Sequence, residues 1–142
     1  MTALTLEKAY DRFHHLRPVL VVEDDIDILS SLAELLRDDG YDVVTAANGY
    51  QALGQVKAHD PELIVLDLMM PQMDGWRFVR ELRQRIPSSR APVVLMSAAP
   101  DLAGEAERLG VAAWVQKPFR LDELLRLAHR WCPPALPPQP HA

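Results

Sequence analysis

The sequence of 142 residues contains a single cysteine, Cys132, and no long apolar run. One cysteine excludes an intrachain disulfide framework and a cysteine zinc site, and it suits a reducing compartment, so we expect the cytoplasm. No apolar run approaches the roughly 20 residues that a membrane-spanning helix needs, and no signal-peptide core is found, which favours a protein without membrane contacts. Positive charge is also scarce. The 15 basic and 20 acidic residues give a net charge of -5, which argues against direct nucleic-acid binding.

The chain length fits one domain, which we assign to residues 17–131. Five of the twelve prolines fall in the last ten residues, so we predict a proline-rich disordered tail over 132–142. Residues 1–16 form an N-terminal extension with apolar residues at helical spacing. For this extension, an added amphipathic helix and a poorly ordered leader are both open.

The domain alternates short apolar runs with longer amphipathic segments, which predicts an α/β fold with five βα units. The apolar runs are Pro18–Val22, Tyr41–Ala46, Leu63–Leu66, Pro92–Met96 and Ala112–Val115. Three of them are almost continuously apolar, which is typical of strands buried on both faces of a parallel sheet. The clearest helical stripes are Ile28, Leu32, Leu35 and Leu36, then Phe78, Val79, Leu82 and Ile86, and finally Leu121, Leu124, Leu125 and Ala128. Shorter helices are predicted at 50–58 and 101–109.

Polar side chains follow four of the five predicted strands. They are Glu23, Asp24 and Asp25 after the first run, Asp67 at the end of the third, Ser97 after the fourth and Lys117 after the fifth. The second run ends in two alanines, which suits an edge strand. Each polar residue alone has an ordinary interpretation, such as a helix cap or a solvated charge. Together they predict a site, because the carboxyl ends of parallel strands meet at one edge of a sheet.

The chemistry of this set points to phosphoryl transfer. Carboxylates from Glu23, Asp24 and Asp67 would repel one another unless a positive charge lay between them. Mg²⁺ prefers such oxygen ligands, and Lys117 supplies a further positive charge. A carboxylate surrounded by a divalent cation, a lysine and a hydroxyl suits a nucleophile that forms an aspartyl phosphate, and Asp67 is our candidate.

These residues lie in motifs that resemble a two-component response regulator receiver domain. The motifs are VLVVEDD, LIVLDLMMPQMDGW, Ser97 after VVLM, and WVQKPF, and the resemblance covers about residues 17–131. It implies a flavodoxin-like fold with a five-stranded parallel sheet in the order 2-1-3-4-5. The resemblance also implies a signalling domain that catalyses only its own phosphorylation and slow dephosphorylation.

The resemblance assigns a role to each matching residue. Asp67 matches the phosphoacceptor, Ser97 the switch hydroxyl, and Lys117 the lysine that pairs with the phosphoryl group, its bond to Pro118 being cis in the family. The implied Mg²⁺ ligands are Asp24, Glu23 through water, Asp67 and the backbone carbonyl of Met69. Trp114 occupies the aromatic switch position, where the family usually has Tyr or Phe.

Three alternatives to a phosphorylated receiver were compared with the residues at the strand ends. A Mg²⁺-dependent phosphatase with an aspartate nucleophile would carry a second acid where Met69 stands. A flavin or nucleotide binder would need a phosphate cradle, which Glu23, Asp24 and Asp25 would repel. A receiver-like docking module without phosphorylation would not need the complete set of chemical groups.

The resemblance also implies the partners. We expect a sensor histidine kinase or a histidine phosphotransfer protein as phosphoryl donor, and an unidentified protein as downstream target. Because few residues follow Trp131, we expect a receiver that stands alone or was excised from a longer chain. Ala112 and Ala113 replace an acidic pair that is frequent in dimeric transcription-factor receivers, so we expect a monomer or a weak dimer.

Overall fold

The computed structural model describes residues 17–133 of the chain. Its five strands are β1 (Val19–Val22), β2 (Val43–Ala46), β3 (Leu63–Asp67), β4 (Val93–Ser97) and β5 (Ala113–Gln116). Its five helices are α1 (Ile26–Asp38), α2 (Gly49–His59), α3 (Gly75–Arg85), α4 (Leu102–Leu109) and α5 (Leu121–Trp131). Strands and helices alternate along the chain, so the predicted α/β class is confirmed.

The five strands form one parallel sheet in the order β2-β1-β3-β4-β5. Val19 of β1 pairs with Val43 on one side and with Leu63 on the other, which places β1 between its two neighbours. The strands β1, β3 and β4 are buried along their whole length, as their continuous apolar runs predicted. The strand β2 lies at the edge of the sheet and is only partly buried, which confirms the interpretation of its alanine end.

Alternation of side chains along the strands creates two apolar cores, one on each face of the sheet. One core joins the sheet to α2, α3 and α4, and includes Leu20, Ile64, Leu66, Leu95 and Phe78. The other joins the sheet to α1 and α5, and includes Val21, Val65, Met96, Leu32 and Leu124. Both faces are covered by helices, so the carboxyl edge of the sheet is where side chains can gather around a ligand.

The predicted stripe of α1 is rotated relative to the observed one. The buried residues of this helix are Leu29, Leu32, Ala33 and Leu36. Ile28 belonged to the predicted stripe, yet its side chain is 37% exposed. The observed spacing of three, four and seven residues turns Leu29 to the sheet and leaves Ile28 at the flank. Gly40 follows the helix with a φ of +98°, a backbone conformation that favours glycine.

The two weaker helix predictions, at 50–58 and 101–109, correspond to α2 and α4. Asn48 caps α2 by accepting a hydrogen bond from the Gln51 amide at 2.9 Å. Asp101 precedes α4 with a φ of +53°, which is the left-handed region, and its carboxylate accepts from the Gly104 amide. A side-chain cap therefore supports the start of each of these two helices.

The ends of the chain are described only in part. The extension at 1–16 lies outside the described residues, and so does the tail from residue 134. Cys132, which we assigned to the tail, is buried, and its carbonyl oxygen accepts a 2.6 Å hydrogen bond from the Tyr41 hydroxyl. Packed structure thus continues one residue past Trp131. Between residues 17 and 133, none of the helices has the length and apolar character that crossing a membrane requires.

Candidate functional site

The carboxyl ends of β1, β3 and β5 bring three charged side chains into direct contact. The Lys117 ammonium lies 2.7 Å from a carboxylate oxygen of Glu23 and 3.3 Å from one of Asp67. Glu23 and Asp67 are almost fully buried, with relative exposures of 1% and 4%. A lysine from the end of one strand therefore neutralises two buried carboxylates from two others.

Asp24 completes an acidic cluster with these carboxylates. One oxygen each from Glu23, Asp24 and Asp67 lies within 4.8 Å of the others. Glu23 and Asp67 are buried, whereas Asp24 is exposed, so the cluster opens to solvent on one side. Three carboxylates and one ammonium leave a net negative charge. This set of hard oxygen donors fits a divalent cation such as Mg²⁺.

Burial and charge shift the pKa values of Glu23 and Lys117. Removal from water raises the pKa of Glu23 above its usual value, and the hydrogen bond from Lys117 offsets part of that rise. Burial acts to lower the pKa of Lys117. The hydrogen bond to Glu23 and the charges of both carboxylates outweigh that effect, so the pKa of Lys117 is raised. The lysine is therefore held firmly in its charged form.

The Asp74-Gly75 pair brings the start of α3 against the end of β3. A Cβ atom on Gly75 would lie 2.7 Å from the carbonyl oxygen of Asp67 and from the Cα of Leu68, so only glycine allows this approach. The Gly75 amide donates to the Leu68 carbonyl at 2.9 Å, and Asp74 caps the helix through the Arg77 amide. The motif thereby sets the path of the chain next to Asp67.

Two backbone amides fix the polar side chains that end β3 and β4. The Met69 amide donates to a carboxylate oxygen of Asp67 at 3.1 Å. The Ala99 amide donates to the Ser97 hydroxyl oxygen at 3.2 Å, and Ser97 is fully buried. The Lys117 amide donates to the Ser97 carbonyl at 2.8 Å, and the Lys117–Pro118 peptide bond is cis. The ends of β4 and β5 are therefore joined next to the acidic cluster.

Two residues named from the resemblance point outward. Trp114 lies on β5 with 43% of its surface exposed, on the face opposite Val115, and the Met69 side chain is 58% exposed. Sequence reasoning did not single out Gln116, whose side-chain amide donates to the Ala99 carbonyl at 3.1 Å. Its position directly before Lys117, at the end of a strand, was the only signal for it.

Asp25 caps α1 by accepting from the amides of Asp27 and Ile28.

An apolar cavity of about 580 Å³ lies beside Lys117, between α1 and the start of α5. Its lining includes Ile28, Leu32, Pro118, Phe119 and Leu121. Leu121 is 50% exposed and Ile28 is 37% exposed, so large apolar side chains rim the entrance. The rotated α1 stripe leaves Ile28 out of the core. Leu121 was part of the predicted α5 stripe, but the buried residues of that helix are Leu124 and Ala128, so Leu121 also lies at the rim.

Solved structures of known proteins share this fold. A structure of the Vibrio cholerae chemotaxis protein CheY4 is 31% identical, with a TM-score of 0.74 and coverage of 82% of this chain and 99% of that chain. A Francisella response regulator 1452 receiver domain is 29% identical, with a TM-score of 0.73 and coverage of 81% and 95%.

Curated relatives match over about three quarters of the chain. The probable transcriptional regulator ycf27 of Cyanophora paradoxa is 40% identical over 110 residues, which are 76% of this chain and 45% of that protein. The transcriptional regulatory protein PdtaR of Mycobacterium tuberculosis is 37% identical over 113 residues, or 77% and 53%. This chain thus spans about half the length of these relatives.

The family model described as "Response regulator receiver domain" matches residues 19–129. This range runs from the start of β1 almost to the end of α5, so it includes the whole sheet and the acidic cluster. The family resemblance predicted from the motifs is confirmed. The chain belongs to the response regulator receiver domain family, and it is a signalling domain of two-component systems.

Proposed function

We propose that Asp67 accepts a phosphoryl group from a phosphohistidine of a sensor kinase or a histidine phosphotransfer protein. The observation that carries this proposal is the contact between the nearly buried Asp67 carboxylate and the Lys117 ammonium inside a cluster of three carboxylates. A carboxylate in these surroundings can act as a nucleophile, because nearby positive charge offsets the charge that builds up on the incoming phosphoryl group.

The transfer exchanges one bond to phosphorus for another. A carboxylate oxygen of Asp67 forms the new O–P bond while the N–P bond of the phosphohistidine breaks. The imidazole nitrogen keeps the electron pair of the broken bond and takes up a proton. Lys117 pairs with the phosphoryl oxygens, and the Ser97 hydroxyl donates a hydrogen bond to one of them.

Residues of the acidic cluster would hold a Mg²⁺ ion during this reaction. Asp24, Asp67 and the Met69 carbonyl are the proposed direct ligands, and Glu23 acts through water. When bound, Mg²⁺ supplies positive charge that offsets repulsion between the Asp67 carboxylate and the phosphoryl oxygens. The close grouping of the three carboxylate oxygens supports this assignment.

The apolar cavity beside Lys117 is our candidate for the contact with the phosphoryl donor. It lies next to the site, and Ile28 and Leu121 present exposed apolar surface at its rim. An amphipathic helix of the donor would cover this surface and bring its histidine to Asp67. We further propose that phosphorylation changes the conformation of the domain and thereby its affinity for a protein target, with Ser97 and Trp114 as switch residues.

The test is phosphorylation by a small donor. The protein is incubated with acetyl phosphate and Mg²⁺ and weighed intact, with Asp67→Asn as the site variant and EDTA as the metal control. We expect one added phosphoryl group on the wild type only, and only with Mg²⁺. Label on Asp67→Asn, or equal label with EDTA, would contradict the proposal.

A further inference from the structure

Gln116 joins the end of β5 to the loop that follows β4. Its Nε2 atom donates to the Ala99 carbonyl oxygen at 3.1 Å. The amide of the same Ala99 donates to the Ser97 hydroxyl oxygen at 3.2 Å. The next residue after Gln116, Lys117, holds Ser97 from the other side through the 2.8 Å bond between its amide and the Ser97 carbonyl. Two hydrogen bonds in series therefore connect the Gln116 side chain to the Ser97 hydroxyl.

The loop that follows β4 has few polar side-chain groups of its own. Ala98 and Ala99 carry no polar side-chain atoms, and Pro100 has no amide hydrogen to donate. Asp101, at the far end, has a φ of +53°, a backbone conformation that a non-glycine residue adopts at a cost. A hydrogen bond to Ala99 from a neighbouring strand therefore adds a restraint that the side chains of residues 98–100 do not supply. The Gln116 side chain supplies such a restraint.

The position of Ala99 decides how the Ser97 hydroxyl is oriented. Because Ser97 Oγ accepts the Ala99 amide hydrogen, one lone pair of that oxygen is occupied and rotation of the hydroxyl is restricted. The hydroxyl hydrogen is then directed away from Ala99 and remains free to donate. Ser97 ends β4 one residue beyond Met96, which pairs with Asp67 of β3. The oriented hydroxyl thus belongs to the same sheet edge as the acceptor carboxylate.

We propose that Gln116 is a positioning residue for the phosphoryl site, acting through Ala99 on the Ser97 hydroxyl. This inference rests on the proposed function, because it assigns Gln116 to the reaction at Asp67. Gln116 touches neither the carboxylate nor the incoming group. Its contribution is to hold the Ser97 hydroxyl ready to donate, so that less reorganisation is needed when the phosphoryl group arrives.

The test compares Gln116→Met, which removes the donor from a chain of similar length, with Gln116→Lys, which restores one. Gln84→Met, at an exposed position of α3, is the matched control. The first readout is exchange of the Ala99 amide hydrogen followed by NMR in the Mg²⁺-free protein. We expect faster exchange in Gln116→Met, and exchange close to wild type in Gln116→Lys and Gln84→Met. An unchanged Ala99 amide in Gln116→Met would overturn the inference.

The second readout is the rate of phosphorylation by acetyl phosphate with Mg²⁺, measured in wild-type and Ser97→Ala backgrounds. We expect Gln116→Met to slow the wild type by about threefold to tenfold and to leave Ser97→Ala unchanged, since a misplaced hydroxyl matters only where one exists. Equal slowing in both backgrounds would show that Gln116 does not act through Ser97. If wild type takes no phosphoryl group, the proposed function fails and this inference with it. If the wild type is phosphorylated and Gln116→Met is phosphorylated at the same rate, this inference is overturned and the proposed function is not affected.

Discussion

Lys117 lies closer to Glu23 than to Asp67, at 2.7 Å against 3.3 Å. Glu23 is the more deeply buried of the two carboxylates, and it holds the ammonium group at the edge of the site. Under the proposed function, a phosphoryl group on Asp67 would compete with Glu23 for the same lysine. The Glu23–Lys117 pair is therefore both a stabilising contact and a contact that the reaction would weaken.

Lys117→Met is expected to destabilise the fold, because it leaves Glu23 and Asp67 buried without a counter-charge. We expect the free energy of unfolding to fall by about 2–4 kcal/mol at neutral pH, measured by urea denaturation. Arg120→Met is the control, since Arg120 is 81% exposed and pairs with Asp122 at the surface, and its loss should stay below about 0.5 kcal/mol. Equal decreases in the free energy of unfolding of the two variants would show that the buried ion pair contributes no more to stability than the exposed one.

Asp24→Asn is expected to stabilise the fold in the absence of divalent cations, because it removes one of three clustered negative charges. The gain should be on the order of 1 kcal/mol, and added Mg²⁺ should stabilise wild type more than the variant and so narrow the gap. Thermal melts in EDTA and in MgCl₂ measure both effects, with the exposed Glu34→Gln as the control. Equal stabilisation of all three proteins by Mg²⁺ would argue against a metal ligand at Asp24.

Cys132 is expected to resist thiol reagents in the folded protein. Burial, together with the nearby Glu62 carboxylate, raises the pKa of its thiol to about 12 from the usual 9.0. At pH 8, Ellman's reagent should therefore react slowly in native buffer and quickly in denaturant. The neutral thiol favours the folded state below pH 9, and this contribution is lost as the pH rises from 9 towards 12. Rapid native reaction at pH 8 would contradict this prediction.

The phosphorylated protein is expected to lose its phosphoryl group slowly. Under the proposed function, Asp67 is the phosphoacceptor and Ser97 the switch hydroxyl, and we expect the side chains two positions after each to flank the path of the attacking water. Here they are Met69 and Ala99, which cannot orient water by hydrogen bonds. Met69→Asn should speed decay severalfold, because an oriented water reacts faster, whereas Met69→Leu should not. Decay is followed by intact mass after removal of acetyl phosphate, and equal decay rates in the three proteins would contradict a role for the side chain at position 69 in orienting water.

Charged substitutions at the rim of the apolar cavity are expected to slow phosphorylation by a protein donor but not by a small-molecule donor. Ile28→Glu or Leu121→Glu should reduce transfer from a sensor kinase that phosphorylates the wild type by tenfold or more, because a hot-spot contact of about 1.4 kcal/mol or larger is lost. Phosphorylation by acetyl phosphate should stay within about twofold, since no docking is needed. Tyr50→Glu is the control, because Tyr50 is 53% exposed on α2, across the sheet from α1. Equal effects on both donors would place the damage in the site itself.

The sheet and its order were largely predictable because the signals are local. Apolar runs such as Leu63–Leu66 predicted buried strands, and the amphipathic segments between them predicted crossover helices. Parallel strands then place the ends of β1, β3, β4 and β5 at one edge whatever the details of packing. This is why strand order and residue position alone suffice to group Glu23, Asp67 and Lys117 in one site.

The buried face of α1 was less predictable, because two adjacent apolar residues near its start each fit a different helical stripe. Both Ile28 and Leu29 stand at helical spacing from Leu32, and periodicity alone does not choose between them. Packing against the sheet chose Leu29 and left Ile28 at the rim of the apolar cavity. The same ambiguity hid the cavity from sequence reasoning.

The sequence by itself determined the fold family and the residues that meet at the carboxyl edge, because residue periodicity and chain order suffice for both. Only the tertiary structure decided which side chains are in direct contact, because those contacts depend on small differences in distance. It placed Lys117 nearer to Glu23, 94 positions away, than to Asp67, and it joined Gln116 to Ala99. It also turned Trp114 outward. Hydrogen bonds and ion pairs depend on distance and angle within a few tenths of an ångström, and only the packed positions of the strand ends set those.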